Sequence, residues 1–207
     1  PIHMMKPLTE MQMPLIPTVT ELPPEVSNFP RFRYMGSKYR LLPWIHNTLA
    51  DVDFESATDA FSGSGAVSYL LKSMGKQVRA NDTLNFPSVL TTATIANNTK
   101  LLNQADLDFL HSSKAELASE CFIHRTFEGI FYTPVELSTL DDLWAGIRRL
   151  DSPLKRAVAL AALLRSAIKR QPRGLFTVSD PKRYNDGRRD LQLTIREQLL
   201  QKNDLNI

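Results

Sequence analysis

The stretch Ser56-Ala-Thr-Asp-Ala-Phe-Ser-Gly-Ser-Gly-Ala-Val67 decides the fold of this 207-residue chain. A short run with an acidic residue and an aromatic leads into Gly-x-Gly, and an amphipathic segment from Ala66 to Met74 follows directly. This order predicts a β-strand, a tight turn and an α-helix, because glycine adopts backbone conformations that other residues avoid. Residues Gln77 to Ala80 predict a second strand, so the segments together indicate a β-α-β unit of an α/β protein.

The spacing of polar residues in this unit indicates a ligand that contains a nucleoside. Asp82 lies 17 residues after Gly65, about where a nucleotide-binding β-α-β unit places a carboxylate for the ribose hydroxyls. Ser68 stands where the dinucleotide fingerprint has its third glycine, which favours a ligand without a pyrophosphate. S-adenosylmethionine is the commonest ligand of that kind. From these residues alone, a strand, turn and helix without any ligand is the open alternative.

The composition is typical of a cytoplasmic globular protein. The chain makes one domain of generous size or a domain with an elaboration, and no apolar run approaches the roughly 18 residues of a membrane span. The single cysteine, Cys121, excludes an internal disulfide and a cysteine-rich metal site. We therefore expect no bound metal and a cysteine thiol that lies in the core.

The first 30 residues differ in composition from the rest. They contain seven of the 13 prolines and show no convincing periodicity, which predicts an extended leader over residues 1–30. Pro1-Ile2-His3 stands before Met4 and has the appearance of a tag remnant, so His3 is not a candidate functional residue.

Three short motifs carry a resemblance to a known family. In chain order they are Arg33-Tyr-Met-Gly-Ser-Lys38, Asp59-Ala-Phe-Ser-Gly-Ser-Gly-Ala-Val67 and Ala80-Asn-Asp82. Together they resemble the Dam-like DNA adenine methyltransferases of restriction–modification systems, in which the cofactor motifs precede the target-recognition region. The resemblance is close from Arg31 to about Asn98 and loose beyond.

The resemblance implies a Rossmann-like methyltransferase sheet, incomplete in this chain, with a mainly helical recognition region. Residues 31–100 would bind S-adenosylmethionine and residues 101–207 would recognise DNA in a bacterial cytoplasm. It implies that Tyr34 and Lys38 hold the methionine portion of the cofactor, and that Asp82 accepts hydrogen bonds from the ribose. We expect Phe86 either to cover the adenine ring or simply to pack. The full set of expected cofactor-binding residues is Tyr34, Gly36, Lys38, Asp59, Phe61, Gly63, Gly65, Asp82 and Phe86.

The second half of the chain reads as helical. Thr133-Pro134-Val135-Glu136 predicts a helix start, with an N-cap, a proline in the first turn and a glutamate three residues on. Apolar residues then repeat at helical spacing, and Ser152-Pro153 predicts the start of the next helix. We expect these two helices to pack as a hairpin and Trp144 to lie in its core.

A basic segment follows from Arg165 to Arg189, with eight basic and two acidic residues and a charge of +6 within a chain of net charge +3. A solvated surface is the alternative, but the resemblance favours contact with the phosphates and bases of duplex DNA. The residues expected to bind DNA are Lys169, Arg170, Arg173, Lys182, Arg183, Arg188 and Arg189.

The resembled enzymes carry an Asp/Asn-Pro-Pro-Tyr/Phe tetrapeptide that grips the target amine, and these 207 residues contain none. Asp180-Pro181 is followed by Lys182-Arg183 and does not qualify. We therefore expect the chain to be an inactive N-terminal portion of an enzyme whose remaining part, and a cognate restriction endonuclease, would be its partners. The alternatives are a methyltransferase acting on cytosine amino groups or RNA, and a non-catalytic DNA-binding module.

Overall fold

The computed structural model describes residues 21–99, 102–170 and 193–201. Strands β1 (Ser56–Asp59) and β2 (Gln77–Ala80) pair in parallel, with Ala57 opposite Val78. Helix α2 (Ala66–Ser73) connects them, so the predicted β-α-β unit is confirmed. Within the described residues the sheet has these two strands, and the rest of the fold is mostly helical.

Seven further α-helices complete the described structure. They are α1 (Leu42–Leu49), α3 (Asn85–Thr91), α4 (Gln104–Ser112), α5 (Phe122–Phe127), α6 (Pro134–Arg149), α7 (Pro153–Arg170) and α8 (Ile195–Gln201). Short 3-10 helices cover Pro24–Asn28, Lys38–Leu41 and Ala118–Glu120, and a π-helical turn, Thr92–Ala96, continues α3. Among the described residues, no helix combines the length and the apolar character needed to cross a membrane.

Part of the predicted leader belongs to the folded core. Val26 and Phe29 are buried, and the Phe29 ring lies 5.2 Å from the ring of Tyr69 on α2 and stacks on that of Tyr39 at 5.9 Å. These aromatic contacts add to the apolar surface that is removed from water. The segment before Arg31 is therefore ordered at least from residue 21, and residues 1–20 lie outside the described part.

One hydrophobic cluster joins the β-α-β unit to the helices. It contains fully buried leucines from both parts, such as Leu70 of α2, Leu90 of α3 and Leu143 of α6, and extends to Leu199 of α8. Full burial of a leucine side chain contributes about 1.5–3 kcal/mol. This shared core fixes the position of the β-α-β unit against the helical region.

Lys72 of α2 ties the same helix to the end of the π-helical turn. Its Nζ donates to the carbonyl oxygens of Thr94, Ile95 and Asn97 at 3.0, 2.9 and 2.8 Å. Burial lowers the pKa of Lys72. The ammonium therefore satisfies carbonyl groups that have no partner within the helix at its carboxyl end.

Helix α6 begins as predicted. The Thr133 hydroxyl accepts from the backbone N–H of Glu136, and the Glu136 carboxylate accepts in return from the backbone N–H of Thr133. Helix α7 packs against α6, as expected for a hairpin.

Two predictions of burial were wrong, since Trp144 and Cys121 are only half-buried. Trp144 lines an apolar cavity and Cys121 is the N-cap of α5, and neither belongs to the central cluster.

Candidate functional site

A cavity of about 380 Å³ lies at the carboxyl end of β1 and β2, the usual ligand-binding edge of a parallel sheet. Three separate sequence segments line it: the turn around Gly36, the loop between β1 and α2, and the residue that follows β2. The lining residues are Tyr34, Gly36, Ser37, Lys38, Asp59, Phe61, Ser62, Gly63, Ser64, Ala66, Val67 and Asp82. Seven of the nine expected cofactor-binding residues are therefore brought together.

The two glycines of the loop are needed for different reasons. Gly63 has φ +50°, and a Cβ there would lie 3.1 Å from Cε1 of the Tyr34 ring, so a side chain would press on the cavity wall. Gly65 has φ +78° and is the N-cap of α2, where a Cβ would lie 3.2 Å from Cγ2 of Thr91. Gly65 does not line the cavity, so its role here is to turn the chain into the helix.

Asp82, which follows β2, holds the loop between β1 and α2 through a hydrogen bond. Its Oδ2 accepts from the backbone N–H of Gly63 at 2.9 Å and its Oδ1 from the backbone N–H of Leu84 at 3.1 Å. These N–H donors, that of Gly63 above all, hold the pKa of Asp82 below its ordinary value. Each carboxylate oxygen can still accept a further hydrogen bond, so an ionised acceptor faces the cavity.

Ser68, which stands in place of the third glycine of the fingerprint, forms a hydrogen bond with Asp59. The hydroxyl of Ser68, which is fully buried on α2, donates to Asp59 Oδ2 at 2.6 Å. A glycine at that position would leave this oxygen without its partner from the helix. The hydrogen bond orients the Asp59 carboxylate at the end of β1, on the wall of the cavity.

A pair of serines joins the other two segments. The hydroxyls of Ser37 and Ser64 lie 2.9 Å apart, which fixes the Gly36 turn against the glycine loop. The Nζ of Lys38 donates to the carbonyl oxygen of Gly36 at 3.1 Å, and the side chain is exposed. Sequence reasoning did not single out Ser37, Ser62 or Ser64, although all three stand inside the motifs.

The two expected aromatic contacts differ. Phe61 lines the cavity and is 78% exposed, so its ring is available to a ligand. Phe86 is half-buried and does not line the cavity, but its ring stacks on that of Tyr34 with centroids 6.0 Å apart. Phe86 therefore supports Tyr34, which forms part of the cavity wall. Two roles were expected for Phe86, and this contact corresponds to packing.

Two of the expected DNA-binding residues lie in the described part. Arg170, the last residue of α7, forms an ion pair with the buried carboxylate of Glu136 on α6. Its guanidinium therefore helps to hold the hairpin together, a role that its place in the basic segment did not predict. Lys169 is half-buried on the same turn. The other five, Arg173, Lys182, Arg183, Arg188 and Arg189, lie outside the described residues.

A second, apolar cavity of about 650 Å³ lies between α5, α6 and α7. Trp144 and Leu164 contribute to its wall, and Tyr132 donates from its hydroxyl to the carbonyl oxygen of Ala167 at 2.9 Å. Within the described ranges, no group of three His, Cys, Asp or Glu residues is arranged to hold a metal ion.

Comparison with known proteins gives the family. The model of the D12 class N6 adenine-specific DNA methyltransferases matches residues 34–165. The chain is 34% identical over 151 residues to the Type II methyltransferase M2.HphI of Haemophilus parahaemolyticus, an alignment that covers 73% of this chain and 44% of that protein. The chain thus spans less than half the length of this relative, and no solved structure matches it. A family match that runs from the cavity-lining Tyr34 into α7 places the chain in the D12 class of N6 adenine-specific DNA methyltransferases.

Proposed function

We propose that the cavity between the Gly36 turn and Asp82 binds S-adenosylmethionine, and that the chain supplies the cofactor site of an enzyme that methylates the N6 amino group of adenine in duplex DNA. One observation carries the proposal: three motif segments, separated by up to 48 residues of sequence, line a single cavity at the carboxyl edge of the sheet. Its volume lies within the roughly 300–1,000 Å³ that is usual for small-molecule sites.

The chemistry of the lining residues fits this cofactor. An ammonium group, that of Lys38, would pair with the carboxylate of the methionine portion, and the ionised carboxylate of Asp82 would accept from the ribose hydroxyls. The backbone at Gly63 approaches without a side chain, because a Cβ would meet the Tyr34 ring. The exposed Phe61 ring offers an apolar face to the remaining surface of the ligand.

S-adenosylmethionine supplies an electrophilic methyl group on its sulfonium. The work left to this chain is to bind the ligand at both ends and to hold it in one orientation, which is a large part of catalysis for an already activated donor. Asp82, fixed by two backbone N–H groups, and the Ser37–Ser64 hydrogen bond serve that purpose by keeping the three segments in place.

We propose the same activity for the whole protein, and this chain spans 44% of the length of its named relative. The family description and the relative's name, Type II methyltransferase, support an adenine-specific enzyme that acts on DNA. They favour it over a cytosine or RNA methyltransferase. We further propose that β1 and β2 belong to a larger Rossmann-like sheet.

DNA contact is assigned to the basic segment from its charge. The segment carries +6 in 25 residues, and neutralising phosphates with lysine and arginine is the main source of sequence-independent affinity for DNA. Lys169, Arg173, Lys182, Arg183, Arg188 and Arg189 are the proposed contacts. Arg170 is included for its position, although its Nε is committed to Glu136.

Calorimetric titration of the chain with S-adenosylmethionine tests the cofactor site. We expect saturable binding by the wild type, at least tenfold weaker binding by Asp82→Ala, and unchanged binding by the control Asp51→Ala, an exposed aspartate outside the cavity. Absence of binding by the wild type would overturn the proposal. Equal affinity of the wild type and Asp82→Ala would remove Asp82 from the site.

A methyl-transfer assay tests the rest. The 207 residues contain no Asp/Asn-Pro-Pro-Tyr/Phe tetrapeptide, so we expect no transfer from labelled S-adenosylmethionine to mixed-sequence DNA by this chain alone. Turnover above the buffer rate would show that the chain grips its target amine by another element. Asp180 would then be the first residue to replace.

A further inference from the structure

Ser62 lines the cavity, and its backbone is held by hydrogen bonds on both sides. Its N–H donates to the carbonyl oxygen of Asn81 at 2.9 Å, at the end of β2, and its carbonyl oxygen accepts from the N–H of Gly65 at 2.7 Å. The residue is 8% exposed and lines the cavity. The backbone at Ser62 is therefore tied both to the end of β2 and to the residue that caps α2.

Among the described residues, the hydroxyl of Ser62 is buried and has no hydrogen-bond partner. The neighbouring hydroxyls are different: that of Ser64 pairs with Ser37, and that of Ser68 donates to Asp59. A buried hydroxyl without a partner loses its hydrogen bonds to water and gains nothing in return. An alanine would fill the same space without that cost, so the hydroxyl contributes nothing to the stability of the chain by itself.

We propose that Ser62 is a further cofactor-binding residue, whose hydroxyl hydrogen-bonds to a polar atom of S-adenosylmethionine. A serine hydroxyl both donates and accepts. It therefore suits the carboxylate or ammonium of the methionine portion as well as a ribose hydroxyl. This inference rests on the proposed function, because it assigns a ligand contact in the same cavity.

The test compares Ser62→Ala with a matched variant, Ser68→Ala, which removes a buried hydroxyl that already has a partner. We expect Ser62→Ala to bind S-adenosylmethionine roughly 3- to 10-fold more weakly, the effect of one hydrogen bond. Its melting temperature without ligand should equal or exceed that of the wild type. Ser68→Ala should melt at a lower temperature, because Asp59 loses its hydrogen bond.

The outcomes separate this inference from the function on which it rests. If the wild type fails to bind S-adenosylmethionine, the proposed function falls. If the wild type binds and Ser62→Ala binds equally well, only the role of Ser62 is overturned. A fall in the melting temperature of Ser62→Ala as large as that of Ser68→Ala would also overturn it, since the hydroxyl would then have a structural partner.

A second ligand locates the contact. 5′-Methylthioadenosine keeps the nucleoside and lacks the carboxylate and the ammonium. Weaker binding of S-adenosylmethionine alone by Ser62→Ala supports a contact with the methionine portion, and weaker binding of both ligands supports a contact with the ribose.

Discussion

Charged side chains make different contacts around the cavity and in the helical region. Around the cavity, Lys38, Asp59 and Asp82 bond to backbone groups or to a serine hydroxyl, and none of the three is paired with an opposite charge among the described residues. The ion pairs of the described structure join residues between Asp106 and Arg196. They include Lys155 with Asp106 at 2.9 Å and Arg149 with Glu120 at 2.8 Å.

This difference separates stability from binding. A charge that already has an ionic partner strengthens the fold and is of little use to a ligand. A charge oriented by neutral groups is kept in place and retains its full attraction for an ionic ligand. The comparison therefore predicts that charge substitutions in the helices change mainly stability, and that those around the cavity change mainly affinity.

The largest expected effect is that of Glu136→Ala. It leaves the guanidinium of Arg170 without this carboxylate and removes half of the N-terminal capping box of α6. Breaking one side of a buried ion pair costs about 3–5 kcal/mol, and we expect a loss near 3 kcal/mol in the free energy of unfolding, measured with urea. Affinity for S-adenosylmethionine should not change. Glu128→Ala, at an exposed site, is the control and should shift stability by less than about 0.5 kcal/mol.

Gly146→Ala should follow, with a loss of about 2 kcal/mol. Alanine favours the helix by about 1 kcal/mol, but its Cβ would lie 2.6 Å from the Cβ of Ser113, and overpacking of this kind typically costs 1–3 kcal/mol or more. The added substitution Ser113→Gly removes the clashing atoms. Additive effects of the two changes in urea unfolding would argue against a direct contact.

Lys38→Met should weaken ligand binding and leave stability unchanged, the opposite of the two preceding substitutions. We expect about tenfold weaker binding of S-adenosylmethionine, near 1.4 kcal/mol, with no change in the free energy of unfolding, because this exposed lysine has no ionic partner in the described structure. Arg40→Met removes an equal charge two residues away, outside the cavity. If the two variants lose affinity equally, the ligand responds only to the net charge of this surface, and Lys38 makes no direct contact with it.

The smallest effect concerns pH. Backbone N–H donors lower the pKa of Asp82 from its ordinary value of 3.8. A carboxyl group with a lowered pKa stabilises the fold above that ordinary value and loses its contribution as the pH falls through the folded pKa. The difference in melting temperature between the wild type and Asp82→Asn should be constant from pH 7 to pH 5 and shrink below pH 4. A constant difference down to pH 3 would contradict the assignment.

Local patterns predicted the parts of the fold that depend on neighbours in sequence. The glycine turn at Gly63 and Gly65, the strand that ends before Asp82, and the start of α6 at Thr133 are each determined within a few residues by backbone freedom or capping. The motifs also predicted most of the cavity-lining residues, because the side chains of those residues project from the same turns.

Local sequence patterns did not predict the tertiary contacts. The Ser68–Asp59 hydrogen bond, the ion pair of Arg170 with Glu136 and the capping of the π-helical turn by Lys72 join residues whose types fit many other settings. Cys121 was expected in the core because cysteine is often buried. It is half-buried instead, at the N-cap of α5, a short helix that packs against the core through Ile123.

The anchoring of α7 and α8 in one core has a consequence for substitutions in the basic segment between them. Val158 of α7 and both Ile195 and Leu199 of α8 belong to the same hydrophobic cluster, so buried apolar contacts join the two helices directly. Substitutions at the proposed DNA contacts from Arg173 to Arg189 therefore change none of the buried residues that hold α7, α8 and the β-α-β unit in one cluster.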